Sequence, residues 1–94
     1  MVQPRPLFAL GRIVATPGAL AALQDATQDA HALLARHVSG DWGDLTDDDW
    51  KENNFSVTRC LRLLSAYHLS TGVTLWIITE ADRSATTLLL PSEY

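Results

Sequence analysis

Two short segments concentrate the side chains of this chain that can do chemistry, His37-Val-Ser-Gly-Asp-Trp-Gly-Asp44 and Thr79-Glu-Ala-Asp-Arg-Ser-Ala-Thr-Thr87. Both are flanked by apolar stretches, and loops that hold such residues on a rigid scaffold are where sites usually sit. An imidazole at His37 beside Asp41 or Asp44 can act as a base, with a carboxylate fixing its tautomer. Arg83 can clamp a carboxylate or phosphate. If the two segments meet, His37, Asp41, Asp44, Glu80 and Arg83 make a small hydrolase-type or toxin-type site, with a base and an anion stabiliser.

Each of these residues also has a structural reading, and for most it is the favoured one. His37 would cap a helix end or bond near Trp50. Gly40 and Gly43 bracket a tight turn in which Trp42 plugs a helix junction while Asp41 and Asp44 cap backbone N–H groups. Arg83 would pair internally with Glu80 or Asp44. An oxygen-rich metal site built from His37, Asp41, Asp44 and Glu80 has no standard ligand spacing, so no metal is expected. Cys60 reads as a buried, inert thiol. His31 falls on a helix surface and His68 at a strand end, while Thr86 and Thr87 simply fill a strand.

The acidic run Asp47-Asp48-Asp49 with Glu52 suits the start of a helix, where carboxylates complement the dipole. It also forms a patch able to engage a basic protein groove. The candidate binding residues are therefore Asp44, Asp47, Asp48, Asp49, Glu52, Trp76, Asp82 and Arg83.

The elements that must position these groups follow from periodicity and caps. Residues 7–14 read as a first strand. Thr16-Pro17 supplies an N-cap and an N1 proline. Residues 17–38 then place Leu20, Leu23, Thr27, Ala30, Leu34 and His37 on one helical stripe. Thr46 with its following acids caps a second helix that runs to about Val57–Cys60. Leu61–Leu69, Val73–Glu80 and Ala85–Leu90 are β-rich, joined by turns at Ser70-Thr-Gly72 and Ala81-Asp-Arg-Ser84. The expected architecture is α+β: a four-stranded antiparallel sheet in the order β-α-α-β-β-β, the first strand at an edge and two helices on one face. Val73, Leu75 and Ile77 share one side of a strand, with Trp76 and Ile78 on the other. Leu88, Leu89 and Leu90 make the last strand apolar on both sides. The face opposite the helices is thus too apolar for solvent. Self-association as a homodimer, a docked partner, or cover from the N-terminal arm and Pro91-Ser-Glu-Tyr94 would each resolve this.

Composition narrows the classes. The chain has 94 residues, 47% of them apolar, and a net charge of −4. This is a single-domain length with one modest core, too small to enclose a flavin or dinucleotide as well, so no cofactor is expected. The absence of a basic run argues against direct nucleic-acid binding. No apolar run reaches the roughly 18 residues that span a membrane. The opening Met-Val-Gln-Pro-Arg-Pro lacks the apolar centre of a secretion signal. One cysteine excludes an internal disulfide. These features together predict a cytoplasmic bacterial protein.

Leu10-Gly-Arg-Ile-Val-Ala-Thr-Pro-Gly-Ala-Leu20, the segment beginning at His37, and the string Trp76-Ile-Ile-Thr-Glu-Ala-Asp-Arg-Ser84 through Pro91-Ser-Glu-Tyr94 carry a resemblance along nearly the whole chain. The sequence resembles small bacterial proteins carried on plasmids, integrative elements and prophages. That family has no activity to assign to particular residues. A link of some relatives to a restriction methyltransferase subunit does not extend here, because this chain has neither a glycine-rich nucleotide loop nor an Asn/Asp-Pro-Pro-Tyr-type motif. The mobile-element context implies a small acidic protein that blunts host defence, of anti-restriction or anti-CRISPR type. Its partner would be a defence nuclease or effector subunit. The expectation is a non-enzymatic binding protein, with the small hydrolase as the alternative.

Overall fold

The computed structural model describes residues 6–94. Residues 1–5, on which the expectation of no secretion signal mainly falls, lie outside the described residues. In chain order the elements are β1 (Arg12–Ala15), α1 (Pro17–Ala26), α2 (Ala30–Val38), α3 (Asp47–Arg59), β2 (Leu63–His68), β3 (Thr74–Thr79), β4 (Ala85–Leu89) and a short 3-10 turn, Pro91–Glu93. Among the described residues the fold is α+β, with three helices and one four-stranded sheet ordered β1-β4-β3-β2.

Local chemistry sets the boundaries. Thr16 caps α1 by accepting the Ala19 N–H at 3.1 Å, with Pro17 in the first helical position. The single helix expected over 17–38 is two helices, because Thr27 takes a left-handed conformation (φ 53°) and ends α1. Asp29 then caps α2 by accepting the His31 N–H at 3.0 Å. Thr46 caps α3 as expected, and Cys60 ends it in another left-handed residue. The first strand is shorter than residues 7–14. Gly11 sits at φ 64° in the middle of that run, and a Cβ there would collide with the carbonyl oxygens of Arg83 and Ser84.

The sheet is mixed rather than wholly antiparallel. β2, β3 and β4 form the expected antiparallel meander, but β1 pairs in parallel with β4, Ile13 opposite Thr86 and Ala15 opposite Leu88. Three helices carry the chain from β1 to the far edge, and a parallel pair needs such a crossover. The meander then returns across the sheet, and its third strand reaches β1 pointing the same way. As expected, β1 is an edge strand.

One sheet face is the core. Leu63 and Tyr67 of β2, Leu75 and Ile77 of β3 and Leu88 of β4 are fully buried with Ala19, Leu23, Leu33 and Leu34 of α1 and α2. Each of the buried Leu and Ile side chains contributes roughly 1.5–3 kcal/mol by leaving water. The register places Leu64, Ala66, Trp76, Ile78, Thr87 and Leu89 on the opposite face.

The β2 edge is sealed by three different devices. Asn53 of α3 receives the Leu64 N–H at 3.3 Å and donates to the Leu64 carbonyl at 2.6 Å. The backbone of Trp42 and Asp44 bonds both sides of Ala66. The Asp44 carboxylate accepts the His68 N–H at 2.9 Å. Gly43 permits this approach, since a Cβ there would strike the Ala66 carbonyl oxygen.

Candidate functional site

The two polar segments do meet, but they meet inside the core. His37 closes α2 and is fully buried. Its Nδ1 lies 2.5 Å from Ser65 Oγ on β2 and its Nε2 2.8 Å from Thr79 Oγ1 on β3. Thr79 Oγ1 is 2.8 Å from Thr86 Oγ1, which donates to the Leu10 carbonyl at 2.7 Å. The carbonyl can only accept, so it fixes every proton in the row. Thr86 gives its single proton to Leu10, hence Thr79 donates to Thr86, and His37 Nε2–H donates to Thr79. Nδ1 is left to accept from Ser65. Phe8 and Trp42 close over the ring edge-on, at 5.2 and 5.5 Å between centroids. Burial, reinforced by the positive charge of Arg83, pushes the imidazole down to about 4.

The side chains of the other members of the proposed catalytic set are engaged away from His37, and none pairs with the side chain of another member. Asp41 forms an ion pair with Arg36 at 2.7 Å and accepts the Gly43 N–H. That guanidinium holds the carboxyl below its ordinary value. Asp44 serves the β2 edge and lies 3.1 Å from His68 Nδ1. Glu80 faces Arg62 at 3.6 Å. Arg83 is satisfied internally, though by backbone carbonyls rather than by a carboxylate: Leu61 at 2.6 Å, Glu80 at 3.1 Å and Ser56 at 3.2 Å. Asp82 accepts the Ser84 N–H in its own turn. Among the described residues no group of three or more His, Cys, Asp or Glu is placed to hold a metal ion.

Trp42 is the plug that the glycine bracket implied, fully buried with its indole N–H given to Asn54 Oδ1 at 2.9 Å. His37 does not cap its helix or bond near Trp50; it ties α2 to the middle of the sheet. Cys60 is exposed, not buried, because it occupies the helix C-cap. Thr86 is more than filler, being the fourth link in the buried row.

A second place has the character of a binding site. A groove of about 380 Å³ runs between α3 and the sheet face that α1 and α2 leave open. Leu64, Trp76 and Ile78 form its floor, and Asp49, Glu52, Asn53 and Ser56 of α3 form one wall. Leu45, Arg62, Leu63 and Tyr94 complete it. Tyr94 stands edge-on to Trp76 at 5.8 Å, and Arg62 lies over the Tyr94 ring while donating to its hydroxyl at 2.6 Å. Of the candidate binding residues, Asp49, Glu52 and Trp76 line this groove. Asp47 and Asp48 are exposed in the first turn of α3, the turn that also holds Asp49. Asp44, Asp82 and Arg83 are engaged elsewhere. Sequence reasoning did not single out Arg62 or Leu45 for this site; Tyr94 it offered only within Pro91-Ser-Glu-Tyr94 as one possible cover of the apolar Trp76 face, and Tyr94 does stand against Trp76.

Comparison of the chain with protein-family models, with curated proteins and with solved structures finds no match. Among the described residues no helix is long and apolar enough to cross a membrane.

Proposed function

We propose that this protein is a non-catalytic binding module whose groove seats a basic, partly apolar segment of another protein. The observation that carries the reading is the pairing of an aromatic floor with a carboxylate wall: Trp76, Leu64 and Ile78 beneath, Asp49 and Glu52 beside. An apolar side chain of the partner leaves water on the floor, while a neighbouring Lys or Arg meets the wall. The indole face also attracts a cation directly. Asp47 and Asp48 extend the negative field beyond the groove and steer a cationic partner toward it.

The resemblance to mobile-element proteins supplies the cellular setting. In that setting the partner is a subunit of a bacterial defence nuclease or effector, in the cytoplasm, and occupation of its basic surface inhibits or modulates defence. This is the anti-CRISPR or anti-restriction type of action, and it needs no catalytic group. The hydrolase alternative has no comparable support, since its base, His37, is buried with both nitrogens engaged.

The test is a fluorescence titration with two synthetic peptides, a Lys/Leu amphipathic segment and its Glu/Leu counterpart. A Trp76→Phe variant identifies the signal. The Lys/Leu probe should bind and the Glu/Leu probe should not, and Asp49→Lys with Glu52→Lys should weaken binding by about tenfold or more. Equal binding of both peptides, or indifference to the charge reversals, would sink the groove reading. For the setting, phage plating on a host with a defined restriction or CRISPR system should rise when the chain is expressed, and should not rise with the double variant.

A further inference from the structure

The two edges of the sheet are treated differently. Every outward-facing position of β2 from Leu64 to His68 has a partner in α3 or the 42–44 turn. At the other edge the backbone of β1 alternates. Arg12 N–H donates to Ser84 and Thr16 N–H to Leu88, so Arg12, Val14 and Thr16 turn toward β4. The N–H and C=O groups of Ile13 and Ala15 therefore point away from the sheet, and among the described residues no strand lies beyond them. Of the devices that blunt such an edge, Arg12-Ile-Val-Ala15 has brevity and one charge at its end, Arg12, but neither a proline nor a charge at its centre. Instead Ile13 is 49% exposed and Val14 42%, and Leu20 in the first turns of the adjoining α1 is 56% exposed.

We infer that β1 is a self-pairing edge, at which two copies of this chain join antiparallel to make one eight-stranded sheet. The chemistry of the edge selects a second copy. With the two-fold axis at Val14, Ile13 of one copy faces Ala15 of the other, and each such pair exchanges two hydrogen bonds. The same register sets Arg12 opposite Thr16 of the other copy. Thr16 is where Glu93 sits, its Oε1 accepting the Thr16 hydroxyl at 2.6 Å and the Leu90 N–H at 2.8 Å. Arg12, Thr16 and Val14 share a sheet face by alternation, and the turn that carries Glu93 leads into Tyr94 against Trp76 on that face. A cation at one end of the strand and an anion at the other are thus self-complementary in the antiparallel sense, and would repel in the parallel one.

Such an axis is normal to the sheet, so both grooves open on the same side. Each groove floor lies between β2 and β3, three strand spacings from the axis, which puts the two about 30 Å apart. The dimer stands on β1 whatever the grooves bind; if they bind as proposed, it presents two sites to one partner assembly.

Analytical ultracentrifugation of the full chain over a concentration series reads the association. A reversible dimer is expected. Ile13→Pro removes one outward donor per copy and spares the bonds to β4, and should raise the dimer dissociation constant about tenfold or more. Arg12→Glu should raise it severalfold. Val14→Cys, on a Cys60→Ser background, should cross-link on mild oxidation, since opposed residues of a non-hydrogen-bonded pair lie about 4.5 Å apart at Cα, within disulfide range. Far-UV circular dichroism confirms that each variant is folded, and the exposed Val14 site remains informative if the proline variant is not. A chain that stays monomeric throughout overturns the inference, as does a dimer that ignores Arg12→Glu and fails to cross-link at Val14.

Discussion

The buried row from Ser65 through His37, Thr79 and Thr86 to the Leu10 carbonyl has one direction, and that direction has measurable consequences. Nitrogen-detected NMR should find His37 as the Nε2–H tautomer across neutral pH. A proton added at Nδ1 would turn the acceptor of the Ser65 hydroxyl into a donor, in addition to placing charge in the core. The folded state therefore binds that proton near pH 4, while the unfolded chain binds it near the ordinary 6.5. Between those values the unfolded state holds more protons, so stability rises with pH across this window. The contribution is complete above about 6.5, declines as pH falls toward 4, and is constant below. Integrated, the shift is worth roughly 3 kcal/mol. Urea denaturation at pH 7 and at pH 4 should show a loss of this order, and a His37→Gln variant should lose the part of the slope due to His37. Thr79→Val removes the central hydroxyl and leaves the buried His37 Nε2–H without an acceptor, while Thr86 keeps its bond to Leu10, costing about 1–3 kcal/mol at pH 7. Both would be stability effects, with no loss of peptide binding at the groove.

At the scale of elements, the edge of β2 and the ends of the helices are where single changes should be most telling. Asn53→Ala strips both bonds from Leu64 and should lower stability by about 1–3 kcal/mol in chemical denaturation. Asn53→Asp should be worse, because a carboxylate would replace the amide donor beside the Leu64 carbonyl. Thr27 works in the opposite direction. It holds a left-handed conformation as a β-branched residue, so Thr27→Gly should raise stability by about 1 kcal/mol. That same residue explains where the helical reading of the sequence went wrong. The stripe through Leu23, Thr27, Ala30 and Leu34 continues across the break, so periodicity alone reports one helix. Asp29, which caps α2, falls off that stripe and so reads from the sequence as an ordinary residue of a solvated helix face. Thr16 and Thr46 were legible because each cap is followed by a proline or by acids. The meander was legible from its turns and β-branched residues. The parallel pairing of β1 was not, since nothing local distinguishes a strand that joins its neighbour 73 residues later in parallel, as Arg12 does Ala85, from one that joins it antiparallel. For the site, Asp49, Glu52 and Trp76 could be chosen from sequence, whereas Arg62 enters the groove from the link between α3 and β2 and Tyr94 from the return of the chain after β4.

For the whole molecule, a net charge of −4 combines with an unequal distribution of apolar surface. The two proposed contacts, groove and edge, use these two resources in different proportions, and salt separates them. At the groove the attraction comes partly from Asp49 and Glu52, reinforced by exposed Asp47 and Asp48, and charges separated by more than the Debye length are largely screened. That length falls from about 14 Å at 0.05 M to about 4 Å at 0.5 M salt, by the inverse-square-root scaling of the quoted values. Affinity for the Lys/Leu peptide should accordingly drop about tenfold over that range, mainly through the association rate, and Asp47→Asn with Asp48→Asn should flatten the dependence without abolishing binding. At the β1 edge the contact is four backbone hydrogen bonds and the apolar Ile13 and Val14, with one exposed ion pair per copy worth at most about 1 kcal/mol. The dimer dissociation constant should change by no more than about threefold over the same salt range. Sedimentation and peptide titration measured in parallel across one salt series would then give two different slopes. A steep slope for self-association would mean that charge, rather than strand pairing, holds the copies together, and would count against the β1 edge as the interface.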